Sequence, residues 1–282
     1  MESKSVNAHG ANIHYIEEGQ GKTVLFLHGL SASSYMWRNV ISALSSKAKC
    51  IALDFIGMGE SDKPKLDYDT SDQLFYLESF IDALNLSDIT LVMYGWATII
   101  GFAYAQKHPE KISGLVFADP YLHMKKNLQN IPMVFQEISA LAKSNPDELK
   151  KKYIDENNHQ VEKIVRSSRM DKLSPEAMTY YANMYSTKES REVFIWTMLD
   201  NPYVNPKSSA IPYIEKYAKW LTETRIRKLM LYVKPGFVGT TDTLNWANSN
   251  FTEFTAINVG SGISFFPELS PEPFSQALLS WL

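Results

Sequence analysis

Residues 91–102 carry the pattern from which catalysis would be expected in this 282-residue chain. An apolar, β-prone run at residues 89–93 leads into Gly95, and an apolar helical pattern follows over residues 96–106. A strand, a sharp turn and a helix form the layout of a nucleophile elbow, whose tip presents the attacking side chain. Glycine adopts the required positive φ without strain, but it has no side chain. The pattern therefore predicts the backbone of an elbow with no nucleophile on it.

Composition narrows the classes of protein to which the chain can belong. A 45% hydrophobic and 12% aromatic content supports a large core and an apolar cavity besides. The formal net charge of -3 argues against nucleic acid as a partner, because there is no basic excess to neutralise phosphates. Neither a G-x-G-x-x-G motif nor a P-loop occurs, so we expect no nucleotide and no other cofactor.

Apolar segments and cysteines bear on membrane insertion, secretion and disulfide formation. There is no run of 18 apolar residues and no apolar segment at the N-terminus, so we expect neither a membrane span nor a signal peptide. Cys50 is the only cysteine, which excludes an internal disulfide and a thiolate zinc cluster. It lies in an apolar run, where a free cysteine is usually buried. A cytoplasmic protein, monomeric or weakly dimeric, is the expectation.

Apolar runs alternate with helical patterns along most of the chain, which favours an α/β fold. Because the runs are continuous, we expect a parallel sheet covered on both faces. Strands are predicted at residues 12–18, 23–27, 50–54, 89–93, 111–118, 228–233 and 254–259, and helices at 35–44, 70–84, 96–106 and 271–282.

The region from about residue 124 to residue 220 is helical, charged and rich in aromatic residues. Its clearest helices are predicted at residues 147–169 and 174–184, the second with a sound start at Ser174-Pro175. We interpret residues 124–223 as a helical cap inserted into a core made of residues 1–123 and 224–282. Aromatic side chains of this cap that are not part of its core could line a pocket for a flat apolar ligand.

Three segments together resemble the haloalkane dehalogenase branch of the α/β-hydrolase superfamily, which also contains the Renilla-type luciferases. They are HGLSASSYMWRNV at residues 28–40, CIALDFIGMGESDKP at 50–64 and LVMYGWATIIGFAYAQKHPEKI at 91–112. The resemblance covers nearly the whole chain. It implies an eight-stranded, mostly parallel sheet with a helical cap after strand six and an apolar cavity between them.

The resemblance also implies positions for the catalytic groups, and most of them are changed. Gly95 matches the aspartate nucleophile and Ser264 matches the histidine base. The acid matches Asp119 or Lys234. Of the two halide donors, the tryptophan is kept as Trp96, whereas Leu30 replaces the asparagine. Without a nucleophile no alkyl ester can form, and without the base none could be hydrolysed. A Ser-His-Asp triad is equally excluded at this turn.

Polar side chains at or near the carboxyl ends of the strands are the remaining candidates, because ligands bind there in open α/β sheets. The backbone N–H groups of Leu30 and Trp96 match oxyanion-hole donors, which survive any change of side chain. Asp119 is the candidate for proton transfer, with its pKa raised by burial. The substrate-binding candidates are Tyr94, Gly95, Trp96, Tyr121, Lys234 and Ser264, and Thr98 and His123 lie beside them.

Each candidate also has a structural interpretation. Asp119 could hydrogen-bond the neighbouring turn, Lys234 could pair with Asp119 or reach solvent, and Ser264 could be inert. His28 is expected to be a structural hydrogen-bonding residue. The remaining histidines have no spacing typical of metal ligands, so we expect no metal; His9, His14 and His159 are interpreted as surface residues, and His108 as a residue that suits a helix end.

Three functions stay open at this stage. The first is a cofactor-independent enzyme of the lyase, cyclase or isomerase type that acts on an apolar small molecule and is neither a conventional haloalkane dehalogenase nor a serine hydrolase. The second is a pseudoenzyme that uses the cavity as a receptor or carrier. The third is a hydrolase with rewired residues, in which Asp119 activates water directly.

Overall fold

An eight-stranded sheet organises the protein. The computed structural model describes residues 1–122, 133–156 and 173–282, with the side chains of residues 133–135 left aside. The sheet order is β1-β2-β4-β3-β5-β6-β7-β8. Both pairings of β2 are antiparallel and the other five pairings are parallel. The strands are β1 Glu2–Ala8, β2 Ala11–Glu18, β3 Thr23–Leu27, β4 Lys49–Leu53, β5 Ile89–Tyr94, β6 Ile112–Ala118, β7 Lys228–Pro235 and β8 Phe254–Gly262.

The expected fold class is confirmed, and seven of these strands match predicted ones. The first strand was not predicted, because its sequence ESKSVNA is polar and lacks an apolar run. It forms the exposed edge of the sheet and gains its place by backbone pairing with β2, as in Val6 opposite Ile13. A polar edge strand of this kind carries little hydrophobic signal and discourages pairing with other chains.

Helices cover both faces of the sheet. Alternate residues of β3 divide between two cores: Leu25 and Leu27 pack on one face, whereas Val24 and Phe26 pack on the other. Cys50 is buried, as expected. The helices of this layer are α1 Arg38–Leu44, α2 Thr70–Ala83, α3 Ala97–Lys107 and, after β7, α9 Thr241–Asn250, α10 Phe266–Leu269 and α11 Pro271–Trp281.

A helical insertion lies between β6 and β7. Its described helices are α4 Met133–Ser144, α5 Pro146–Lys150, α6 Pro175–Asn183, α7 Lys188–Leu199 and α8 Ala210–Glu223. Ser174 caps α6 by accepting a hydrogen bond from the N–H of Ala177. The domain boundaries at residues 123/124 and 223/224 stay predictions. Within the described ranges, no helix is long and apolar enough to cross a membrane.

The continuous helix predicted at residues 147–169 is wrong in its described part. A wider helical turn, Lys151–Asp155, follows α5, and Glu156 then has extended backbone with ψ 143°. The spacing of apolar residues that predicts one long helix does not distinguish an α-helical turn from this wider one. Residues 157–169 of that prediction lie outside the described residues.

Candidate functional site

The turn between β5 and α3 has the predicted elbow shape. Gly95 has φ +58°, the left-handed conformation that glycine adopts without strain. Its N–H donates to the carbonyl of Ala118 at 2.9 Å, and its carbonyl accepts from Thr98 Oγ1 at 2.7 Å. Thr98 Oγ1 in turn accepts from the N–H of Tyr121 at 3.0 Å, which ties the turn to the end of β6. A Cβ atom built at Gly95 would meet no atom of the described residues within 4 Å, so the tip faces space that these residues leave open.

Two backbone donors lie on turns that adjoin this tip. The N–H groups of Leu30 and Trp96 have no hydrogen-bond acceptor among the described residues. Gly29 packs against the elbow so closely that a Cβ atom there would lie 2.9 Å from Cδ1 of Tyr94. The Trp96 ring is buried against Phe55, with 5.2 Å between ring centroids. The role of the Leu30 and Trp96 backbone N–H groups as oxyanion-type donors stays a prediction.

Tyr94 and Ser264 form a hydroxyl pair beside the elbow. Tyr94 Oη lies 3.0 Å from Ser264 Oγ and accepts a hydrogen bond from the N–H of Phe265. Burial raises the pKa of Tyr94 well above its usual range, so the phenol stays protonated. Tyr94 is buried, whereas Ser264 is half-buried. Both residues are substrate-binding candidates by sequence, but only the fold shows that they contact each other.

Asp119 lies at the end of β6 and is held by the loop after β7. Its Oδ1 atom accepts hydrogen bonds from the N–H groups of Phe237, Val238 and Gly239 at 3.3, 2.7 and 2.7 Å. Burial raises the pKa of Asp119 to about 6, against the opposing effect of these three donors. The interpretation that Asp119 hydrogen-bonds a neighbouring turn therefore holds for its Oδ1 atom. Its proposed role in proton transfer stays a prediction.

Tyr121 belongs to a buried polar cluster under the cap. Its hydroxyl accepts from Nδ2 of Asn201 at 2.9 Å, its ring stacks on Tyr203 at 4.9 Å, and its carbonyl accepts from the hydroxyl of Tyr217. These contacts occupy both polar ends of Tyr121 and leave its role as a ligand-binding residue a prediction. His123, the neighbouring candidate, lies outside the described residues.

The structure does not bring Lys234 to this group. The side chain of Lys234 is exposed at the end of β7, and no ion pair joins it to Asp119. This exposure matches the solvent-facing alternative given for Lys234, and its assignment as a substrate-binding residue stays a prediction. Asp119 Oδ1 instead takes its hydrogen bonds from backbone N–H groups of the loop after β7.

A second buried polar group, which the sequence did not reveal, supports the turns around the site. His14 was predicted at the surface, but it is buried on β2 and contacts Asp54 Oδ2 through Nδ1 at 2.8 Å. Burial acts against the charged ring, but the hydrogen bond and charge of Asp54 outweigh it and raise the pKa of His14. Asp54 also accepts from the N–H groups of Ser34 and Glu60 at 2.6 and 2.8 Å.

His28 is the structural residue that was expected. Its Nδ1–H donates to the carbonyl of Gly29 at 2.8 Å, and its Nε2 accepts from the N–H of Phe55 at 3.1 Å. Complete burial lowers the pKa of His28, which favours this neutral form. The ring thereby joins the turn that carries Leu30 to the segment after β4.

The described residues form a small cleft where the cap meets the core. Its lining includes Leu30, Met58, Met184, Val193 and Phe194. The large apolar cavity expected between sheet and cap stays a prediction. No cluster of three or more His, Cys, Asp and Glu side chains in residues 1–122, 133–156 and 173–282 is arranged to hold a metal ion.

Comparison with known proteins supports the resemblance to the α/β-hydrolase superfamily. A sequence model described as alpha/beta hydrolase fold matches residues 22–250. A haloalkane dehalogenase of Mesorhizobium japonicum is 30% identical over 277 residues, which are 96% of this chain and 88% of that protein. One of Mycolicibacterium smegmatis is 30% identical over 289 residues, with 97% and 88% covered. The solved haloalkane dehalogenase DbeA of Bradyrhizobium elkani USDA94 has a TM-score of 0.90 and 26% identity, with 99% of this chain and 97% of that chain covered.

These relatives correct one expectation drawn from the sequence. We expected a lyase, cyclase or isomerase that is neither a conventional haloalkane dehalogenase nor a serine hydrolase. That expectation is wrong: the relatives are named haloalkane dehalogenases, which are hydrolases, and they match nearly the whole chain. The chain belongs to the α/β-hydrolase fold family, in the branch that contains the haloalkane dehalogenases.

Proposed function

We propose that the chain binds an apolar small molecule between the carboxyl edge of the sheet and the cap. The observation that carries this proposal is the open space above Gly95. The elbow keeps its left-handed backbone, yet nothing from the described chain fills the position of a side chain. Concave sites lined by apolar side chains with a few convergent polar groups are the usual small-molecule sites.

The groups around the tip suit such a ligand. Leu30, Met58 and Phe194 offer apolar contacts in the neighbouring cleft. The N–H groups of Leu30 and Trp96 have no acceptor within the described ranges, so in this proposal they hold one polar atom of the ligand. In this proposal Gly95 and Ser264 occupy the nucleophile and base positions, and no cofactor takes part. A cytoplasmic, monomeric or weakly dimeric protein remains our expectation.

The names of the relatives favour a second candidate, hydrolysis of a carbon–halogen bond. Because Gly95 has no side chain, the attacking atom would have to be water. Asp119 is the group that could activate it: Oδ1 is held by backbone donors, whereas Oδ2 has no partner among the described residues. A carboxylate with a pKa near 6 is ionised at neutral pH and can accept a proton.

One set of measurements separates the two candidates. Freshly purified protein is examined by native mass spectrometry, and the released small molecules are identified. Binding of 2-isopropenylnaphthalene is measured by calorimetry, and halide release from 1-bromobutane is followed in parallel. Probe binding without halide release supports the first candidate. Halide release that Asp119→Asn abolishes supports the second.

A matched pair of variants locates the site. Gly95→Asn places a side chain in the open space, because asparagine tolerates the left-handed conformation. Gly10→Asn is the control, since Gly10 is also left-handed, at φ +86°, with nothing within 4 Å of its Cβ position. We expect Gly95→Asn to weaken probe binding at least tenfold and Gly10→Asn to leave it unchanged. Equal binding by both variants would place the ligand elsewhere.

A further inference from the structure

In the hydroxyl pair of Tyr94 and Ser264, one hydroxyl donates to the other, and this order of donation indicates a class of ligand. We propose that Ser264, oriented by Tyr94, donates a hydrogen bond to a carbonyl oxygen of the bound molecule. The site would therefore select an apolar molecule with a carbonyl group over the matching hydrocarbon. This inference rests on the proposed binding function and deepens it.

The first step is the position of the phenol proton. Tyr94 Oη has two polar neighbours in the described chain, the N–H of Phe265 and Ser264 Oγ at 3.0 Å. The first of these can only donate, so it uses a lone pair of Oη. The proton of Tyr94 must then point to Ser264 Oγ, because a buried hydroxyl proton without an acceptor is unfavourable.

The second step is the position of the serine proton. Since Ser264 Oγ accepts from Tyr94, its own proton points away from the phenol. No other acceptor contacts Ser264 Oγ among the described residues. Ser264 is only half-buried, so this proton faces space that a ligand or solvent can occupy. The Tyr94 hydroxyl therefore donates to Ser264 Oγ, and the Ser264 hydroxyl proton points toward the open side of the elbow.

The backbone keeps this arrangement in place. Phe265 has φ +61°, a left-handed conformation that is uncommon for a bulky residue. The Phe265 ring packs edge-on against Tyr181 of the cap at 5.4 Å and against Tyr94 at 6.2 Å. Such conformations persist where surrounding contacts hold them, and they concentrate at ligand sites. The turn of Ser264 and Phe265 is therefore positioned by the same phenol that orients the serine.

The third step is the chemistry of the partner. Among the described residues, Ser264, Leu30 and Trp96 present donor hydrogens without an acceptor at this edge, so a ligand atom that meets them must accept hydrogen bonds. A carbonyl oxygen has two lone pairs and no proton, and it can be carried by an otherwise apolar molecule. Burial of the same molecule without the carbonyl would leave the serine proton unpaired.

The experiment compares 2-acetylnaphthalene with its hydrocarbon isostere 2-isopropenylnaphthalene by calorimetry. The wild type is expected to bind the ketone about fivefold more tightly, the ratio that one net hydrogen bond supplies. Ser264→Ala should reduce this ratio to about 1. Ser264→Thr, which keeps a hydroxyl, should retain it. Ser275→Ala, a buried serine of α11, is the control and should behave like the wild type.

A second readout reports the bond itself. The carbonyl stretch of the ¹³C-labelled ketone should lie at lower frequency when bound to the wild type than when bound to Ser264→Ala. Tyr94→Phe, which removes the positioning group, should give an intermediate ketone preference. An unchanged ratio and an unchanged carbonyl frequency in Ser264→Ala would overturn the inference while the proposed function stands. If neither naphthalene binds the wild type, the proposed function fails and the inference fails with it.

Discussion

Asp119 and Gly239 lie against each other at the carboxyl edge of the sheet, although 120 residues separate them. The N–H of Gly239 donates to Asp119 Oδ1 at 2.7 Å, and a Cβ atom at Gly239 would lie only 3.0 Å from the Cα of Asp119. The end of β6 is thereby fastened to the loop after β7. A buried carboxylate held by backbone donors alone has a consequence for the dependence of stability on pH.

Asp119→Asn should change how stability varies with pH. The folded pKa of about 6 lies above the usual 3.8, so the folded state prefers the protonated acid. The wild type should therefore lose stability as pH rises from about 4 to 6.5, by up to about 3 kcal/mol for two pKa units. Asparagine keeps an acceptor for the same donors and does not ionise.

Urea unfolding of both proteins between pH 4 and pH 7 measures this difference. The free energy of unfolding of the variant should rise relative to that of the wild type across this window. The exposed Asp67→Asn is the control and should run parallel to the wild type. Parallel curves for Asp119→Asn as well would show that ionisation of Asp119 does not affect folding.

Gly95→Ala tests the open space above the elbow through stability alone. Its Cβ would meet no atom within 4 Å in the part of the chain that the structure describes, so the expected loss is the backbone term of about 1 kcal/mol for a left-handed alanine. Gly57→Ala is the matched comparison, because its φ is +84° but its Cβ would lie 2.5 Å from Tyr68 and 2.7 Å from Val193. Chemical denaturation should show a clearly larger loss for Gly57→Ala. Equal losses would mean that the space above Gly95 is filled.

Asp54→Ala should be among the most destabilising single changes in the chain. Asp54 is fully buried and accepts from His14, Ser34 and Glu60, whose donors would lose their acceptor. We expect a loss of about 3–5 kcal/mol, as for breaking a buried charged pair. Asp62→Ala, which removes one hydrogen bond to an exposed backbone N–H, should lose about 1 kcal/mol. A similar loss in both variants would contradict the role given to Asp54.

The same carboxylate should contribute to acid unfolding. Burial alone would raise its pKa, but the hydrogen bond from His14 and nearby positive charge hold the pKa of Asp54 below 3.8. The stabilisation is therefore present above pH 3.8 and is lost as pH falls through the folded pKa. Circular dichroism during acid titration should show that Asp54→Asn unfolds with a shallower dependence on pH than the wild type does.

Glu268→Ala should loosen the cap. Glu268 Oε2 accepts from Arg38 Nη1 at 2.7 Å on the core side and from Tyr181 Oη at 2.8 Å on the cap side. Removal of the carboxylate leaves a half-buried guanidinium unpaired and should lower stability by about 3 kcal/mol. Hydrogen exchange should be faster in α6, with Glu272→Ala as an exposed control. Unchanged exchange in α6 would show that this bridge does not hold the cap.

Most local elements and the family could be predicted from residue type and spacing alone. The apolar run before Gly95 and the helical pattern after it specify strand, turn and helix, because side-chain period and glycine conformation are local properties. The missing side chain at the tip is likewise a fact of sequence. Polar segments escaped this reasoning: β1 and α9 lack a marked apolar signal and form through their neighbours.

The contacts between polar groups could not be predicted in this way, because they depend on the folded arrangement of distant segments. The direction of Asp119 toward the loop after β7, the burial of His14 against Asp54 and the contact of Tyr94 with Ser264 join residues 40 to 170 positions apart. Lys234, equally plausible by type and position, is left in solvent. Sheet order and register determine these contacts, and burial then favours arrangements in which most polar atoms have a partner. That requirement acts in three dimensions, which is why residue type and spacing alone did not show it.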